Sequence, residues 1–279
     1  MIKSLTNQKY NNIAEMLINS KNKFYKKPAI RWIQKIDNRI QTISYSELVD
    51  SMTALFYGLK ELGFKKGDHI GIFSDSTPEW IISDFGIQAL GAVCVPIEPT
   101  LKLANAVSIL EDSKCKVLFV DTYKKAKEIN SYREKVPELK LIVVCSPKKT
   151  LTQQESVISF EKLLTIGEQQ YHSSNRFNRS VSSIIEEDGA YINYNLNSSD
   201  ELEGKMVTHK DVLSDARKAV EIIKEQGDQL KLWQHHYLSI LSLSDPFSRV
   251  FIVASLLMGA SIDIILKNLE MSLKSLNQH

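Results

Sequence analysis

The stretch from Lys65 to Ile97, KKGDHIGIFSDSTPEWIISDFGIQALGAVCVPI, decides the fold. His69-Ile70-Gly71-Ile72-Phe73 is a short apolar run, and the turn Lys65-Lys66-Gly67-Asp68 precedes it. An apolar run of that length bounded by turn residues reads as a buried strand. Thr77-Pro78-Glu79 then supplies a capping hydroxyl, a proline for the first helical position and an acid in the first turn, so a helix opens there. It carries Trp80, Ile81, Phe85 and Leu90, and Ala92 to Ile97 is the next strand, closed by Pro96 and Pro99. Strand, helix and strand at this spacing predict a crossover unit of a parallel sheet.

The same alternation extends in both directions. Upstream, Ser44 with Glu47 forms a capping box for a helix whose Leu48, Met52, Leu55, Leu59 and Leu62 repeat at helical spacing until Gly63 stops it. Downstream, a helix from Leu103 to Asp112, a strand from Lys116 to Val120, a charged helix from Lys124 to Lys135 and a strand from Leu139 to Val144 follow. From Ser146 to Ser183 the chain is polar and weakly periodic, with only Phe160 to Ile166 suggesting a short helix. It is read as a connector with little sheet of its own. Order resumes with a strand at Gly189 to Asn193, a polar loop from Tyr194 to Glu203, a strand at Lys205 to Val207 and a helix from His209 to Glu225. A strand at Tyr237 to Leu241, a helix at Phe247 to Met258, a strand at Ser261 to Leu266 and a last helix from Leu269 complete the reading. The expected fold class is α/β, with layered sheets and crossover helices. Three segments are expected: a first lobe over 1–145, a polar connector over 146–186 and a second, incomplete lobe over 187–279.

Composition removes several function classes. Among 279 residues, 35 Lys and Arg balance 33 Asp and Glu, so no charge surplus points to nucleic acid or an anionic membrane. No apolar run reaches membrane-spanning length, so membrane association is expected only peripherally, through partners. Cys94, Cys115 and Cys145 each adjoin an apolar run, without a close pair, as buried thiols of a reducing compartment do. Met1 to Tyr10 carries Lys3 and Lys9 and no acid, a faint likeness to a transit peptide. The expected home is intracellular, mitochondrial or otherwise cytoplasmic.

Five segments together resemble the amino-terminal part of an adenylate-forming enzyme, of the long-chain fatty acyl-CoA synthetase branch. They are Ile43 to Leu48, Leu62 to Asp68, Pro78-Glu79-Trp80, Gly91 to Ile97 and Val207-Thr208-His209-Lys210. The resemblance implies that Tyr194 to Gly204, just before Thr208-His209, stands where that family wraps the ATP phosphates in a Tyr-Thr-Ser-Gly-Thr-Thr-Gly-x-Pro-Lys-Gly loop. Tyr194, Ser198, Ser199 and Gly204 keep the family's type. Asn197 and Asp200 replace glycines, Leu202 replaces the proline and Glu203 replaces the lysine. Asp200, Glu201 and Glu203 therefore set acids where a polyphosphate would lie. Like charges at about 4 Å repel by about 1 kcal/mol in water and several-fold more at an effective dielectric near 20. A second family motif, Phe-Leu-Pro-Leu-Ser-His-x-x-Glu-Arg, aligns with Ile240 to Arg249. Ser242, Asp245 and Ser248 replace its proline, histidine and glutamate. The family's later motifs and its carboxy-terminal catalytic domain have no counterpart in this sequence.

These departures imply a catalytically inactive relative, a pseudoenzyme serving as a structural or accessory subunit of a larger protein assembly, with other protein subunits as partners and no cofactor. Two alternatives stand beside it. One is a part of a split or truncated long-chain fatty acid-CoA ligase, which would use ATP with Mg²⁺ and CoA. The other is an acyl-CoA or nucleotide binder without turnover. The candidate site is the degenerate phosphate loop, Tyr194, Asn197, Ser198, Ser199, Asp200, Glu203, Gly204 and Thr208, with no catalytic residue and no metal ligand assigned. His235-His236 is a poor metal pair, since neighbours on an extended segment point to opposite faces. His209 reads as a capping or packing residue. Ser198-Ser199 beside Asp200 lacks a positioned base for nucleophilic chemistry, and no Gly-x-Ser-x-Gly, HExxH or P-loop pattern occurs.

Overall fold

The computed structural model describes residues 8–34, 39–145, 156–170, 174–196, 202–226, 235–239 and 241–265. Two sheets organise them. Strands β3 (His69–Phe73), β4 (Val93–Pro96), β5 (Val117–Val120), β6 (Leu141–Val144), β7 (Val157–Ser159), β8 (Gly189–Leu196) and β9 (Leu202–Thr208) form a seven-stranded sheet in the order β7-β6-β5-β3-β4-β8-β9. It is parallel throughout except for the antiparallel β8–β9 hairpin. Strands β1 (Pro28–Ile33), β2 (Ile40–Ser44), β10 (His236–Ser239) and β11 (Ser261–Ile264) form a second sheet, ordered β10-β11-β1-β2.

Burial on both faces explains the apolar strands of the large sheet. Ile70, Ile72, Cys94, Val117 and Phe119 point into a core shared with the small sheet's Ile30, Ile262 and Ile264. Phe73, Val93, Val95, Leu118 and Val120 point into a second core on the opposite face. Period-two alternation thus feeds two different cores. Helices α1 (Ile13–Phe24), α2 (Tyr45–Glu61), α3 (Pro78–Leu90) and α9 (Pro246–Met258) supply the shared core, whereas α4 (Leu103–Asp112) and α5 (Tyr123–Asn130) cover the other face. Helices α6 (Phe160–Gln169), α7 (Ser174–Ser182) and α8 (His209–Glu225) complete the described set.

The capping signals in the sequence operate as their chemistry requires. Ser44 and Glu47 form the capping box of α2, and Thr77 accepts from Trp80 N with Pro78 in the first turn of α3. α3 ends at Gly91, whose φ of 70° is a left-handed conformation that a side chain would strain.

Three expectations change. Each sheet takes strands from both ends of the chain, β1 pairing with β11 and β4 with β8, so the lobes drawn over 1–145 and 187–279 do not correspond to separate sheets. The connector does contribute sheet: β7 adds an outer parallel strand, while Phe160, Leu163, Phe177 and Val181 are buried in the shared core. The hairpin strands run on through much of the expected polar loop, because residues 194–196 pair with residues 202–204. The helix expected from Leu269 lies outside the described residues. No described helix is long and apolar enough to cross a membrane.

Candidate functional site

β8 runs parallel to β4, with Tyr191 opposite Cys94. Leu196 and Leu202, the last pair of the hairpin away from Gly189, therefore lie beyond the carboxyl end of β4, on the side where open α/β sheets bind ligands. At that same end the segment before α9 closes a wall. Leu243 N donates to Ser76 Oγ at 3.1 Å, reaching the loop after β3. Ser244 Oγ donates to Glu98 Oε2 at 2.6 Å, reaching the loop after β4. Asp245 caps α9 by accepting from Phe247 N and Ser248 N.

The structure places the sequence-predicted residues unevenly. Tyr194 lies on β8 opposite Gly204 of β9, and its hydroxyl donates to Asp112 at the end of α4. Burial, reinforced by Asp112, pushes that phenol's pKa up. A Cβ on Gly204 would come within 2.7 Å of the Tyr194 ring, so glycine is needed there for the ring to lie across β9. Glu203 is exposed on β9 opposite Asn195. Thr208 is the N-cap of α8 and forms a capping box with Asp211: its hydroxyl and its backbone N–H both donate to the Asp211 carboxylate, at 2.7 and 2.9 Å. Those two bonds hold the Asp211 carboxyl below its usual range. Asn197, Ser198, Ser199 and Asp200 lie outside the described residues.

His209 is fully buried, and its Nδ1 accepts from Ile13 N at 3.3 Å, tying α8 to α1. Burial pushes its pKa down to about 4, so the ring is neutral at physiological pH. His236 faces Ser261 and Arg31, at 2.8 and 2.9 Å from its Nδ1. Among the described residues no group of three His, Cys, Asp or Glu is gathered as metal ligands would be. All three cysteines are buried and free.

Several residues at the site were not singled out from sequence. Glu98 and Ser76 anchor the wall, and Asp84 of α3 pairs with Arg249 of α9 at 2.8 Å in the interior behind the hairpin. Arg249 is the arginine of the second aligned motif, and a charged residue kept where the motif's histidine and glutamate changed was the available signal. Asp84 had none, since it lies on a helix buried on every side.

Of the acids in the aligned loop, Glu203 is among the described residues and is exposed on β9, where its charge opposes that of a phosphate. The first turn of α8 lies at the other end of β9 and holds the carboxylate of Asp211.

A mostly parallel seven-stranded sheet that ends in an antiparallel hairpin, with a four-stranded sheet beside it, is an α/β domain of the kind found in adenylate-forming enzymes. The chain belongs to the AMP-binding enzyme family, whose pattern matches residues 18–277. It is 27% identical over 234 residues to long-chain-fatty-acid-CoA ligase 1 of Homo sapiens, which takes in 82% of this chain and 33% of that one. It is 35% identical over 108 residues to the long-chain-fatty-acid-CoA ligase FadD15 of Mycobacterium bovis, 39% of this chain and 18% of that one. The crystal structure of a long-chain-fatty-acid-CoA ligase from Archaeoglobus fulgidus matches with a TM-score of 0.75 at 17% identity, covering 96% of this chain and 50% of the other. The anthranilate CoA ligase AuaEII in complex with anthranoyl-AMP matches with a TM-score of 0.73 at 22% identity, covering 92% and 45%. At these identities the solved structures speak to the fold.

The chain thus spans a third or less of these curated relatives and half or less of these solved chains. The expectation that it is not an enzyme is corrected: the family is one of enzymes, and the matching relatives are fatty-acid-CoA ligases.

Proposed function

We propose that this chain is the amino-terminal, crevice-forming portion of a long-chain-fatty-acid-CoA ligase, working with a carboxy-terminal portion on the same polypeptide or on a partner subunit. One observation carries the reading. The hairpin β8–β9 and the wall before α9 assemble at the carboxyl end of the parallel sheet, although their residues are scattered from Ser76 to Ser244. The relatives named for fatty-acid ligation support the substrate class. The expected assembly with other subunits takes a specific form here: the partner is the rest of the ligase. The acids at Asp200, Glu201 and Glu203 set a low affinity for the nucleotide rather than a different reaction.

The test is fatty-acid-dependent exchange of pyrophosphate into ATP. It is measured on the full chain mixed with the carboxy-terminal portion of a family ligase, for the natural sequence and for a variant carrying Asp200→Gly and Glu203→Lys. Exchange that needs the fatty acid and saturates at lower ATP in the variant is the expected result. Absence of exchange from both folded proteins would sink the proposal.

A further inference from the structure

The hairpin β8–β9 joins the parallel sheet through β8, which lies beside β4. β3 meets each of its neighbours β4 and β5 over a run of consecutive residues, whereas β8 meets β4 through the single pair Cys94–Tyr191. What lies beneath that pair is polar and buried. Arg249 Nη2 donates to Asp84 Oδ1 at 2.8 Å. The guanidinium carbon stands 4.4 Å from the Tyr191 ring centroid and 5.4 Å from that of Trp80, and Nη1 lies 3.9 Å from Cys94 Sγ. On the same face, Gln88 Nε2 donates to Asp84 Oδ1 at 3.2 Å and to Ala190 O at 3.0 Å. Arg249 is 4% exposed and Tyr191 3%, so water competes with none of these contacts.

We propose that Arg249 is the positioning residue that holds the β8–β9 hairpin in place against β4 and α3. A guanidinium suits this place because its plane stacks on an aromatic ring while its fork pairs with a carboxylate, which an ammonium cannot do together. The residue also sits in the first turns of α9, whose entry segment holds Ser76 and Glu98. One helix therefore ties the crevice wall to the hairpin. The clamp is a property of the described residues, while its consequence for catalysis rests on the ligase reading proposed above.

The three buried cysteines provide the test, since Cys94 lies under the clamp, whereas Cys115 precedes β5 and Cys145 follows β6. The full chain is exposed to an aromatic disulfide reagent under native conditions, and modification of each thiol is followed by peptide mass spectrometry. Arg249→Lys and Tyr191→Leu are expected to speed modification of Cys94 about tenfold through local opening, with Cys115 and Cys145 unchanged, while Tyr191→Phe keeps the slow rate. Equal acceleration of all three thiols would make Arg249 a residue of general stability and overturn the proposal, as would an unchanged rate at Cys94. If Arg249→Lys does not fold, Tyr191→Leu decides the question, because it leaves the Asp84–Arg249 pair intact. In the exchange assay the same variants should raise KM for ATP by a larger factor than they lower kcat. A natural chain without exchange would remove the ligase reading and leave the thiol result to decide the clamp.

Discussion

The crossover unit from His69 to Pro96 and the hairpin from Gly189 to Thr208 lie in one sheet and are held there by different forces. In the first, every residue of α3 except Glu79 is buried, as are nearly all of those of β3 and β4, and each strand has a parallel neighbour on both sides. In the second, β9 is an outer strand with most of its residues exposed, and β8 adds a buried polar clamp to the apolar burial of Ala190, Tyr191 and Ile192. The contrast separates what the fold needs from what the site can vary. Apolar burial fixes the frame, whereas the hairpin tolerates an acid at Glu203, whose side chain is exposed and outside the core.

Substitutions ranked by size can break this contrast. Phe85→Ala in α3, where the ring is 1% exposed, should cost about 3–5 kcal/mol by urea unfolding. A loss below about 1 kcal/mol would mean that the crossover unit does not sustain the frame. Acid should act next, through His209. Its folded pKa of about 4 lies below the ordinary 6.5, so the unfolded chain binds a proton that the folded chain refuses. Its contribution is complete above pH 6.5 and is lost as pH falls toward 4, about 2 kcal/mol of it by pH 5. Stability curves at pH 7 and 5 check this, and His209→Asn should flatten the difference.

Thr208→Ala removes the cap of α8 and should cost about 1 kcal/mol, with faster amide exchange confined to the helix's first turn. Spread of that effect into β3 or β5 would contradict the separation between frame and hairpin. The smallest stability change belongs to Glu203→Lys, within about 0.5 kcal/mol. Its effect should appear in nucleotide affinity, raised roughly five- to tenfold as titrated with labelled ATP. A large fall in melting temperature instead would show that the hairpin's charge is structural.

The frame was legible in the sequence where local chemistry suffices. Ser44 with Glu47, Thr77 with Pro78, and the runs at Ile70 and Val117 named their elements correctly. The β1–β2 hairpin was not legible, because β2 is only half-buried and its residues give no apolar face to read. α7 escaped for a related reason: its polar sequence forms a helix only by docking Phe177 and Val181 into the core and by receiving Asn12, whose Nδ2 donates to Val181 O and Ile184 O. At the site, Tyr194, Gly204 and Thr208 were found through family spacing. Thr208, however, proved to be engaged by Asp211, a pairing that a phosphate-loop reading overlooks. The Asp84–Arg249 clamp joins residues from opposite ends of the sequence, and no local pattern announces such a pair.

Where the small sheet finds its strands bears on how the chain is made. Ile30 of β1 must meet Ile262 of β11, so the β1–β2 hairpin leaves the ribosome long before its partner exists. At about 5–20 residues per second the wait lasts on the order of tens of seconds. Throughout it one edge of β1 is open to any passing strand, which makes the nascent hairpin a natural client for a chaperone.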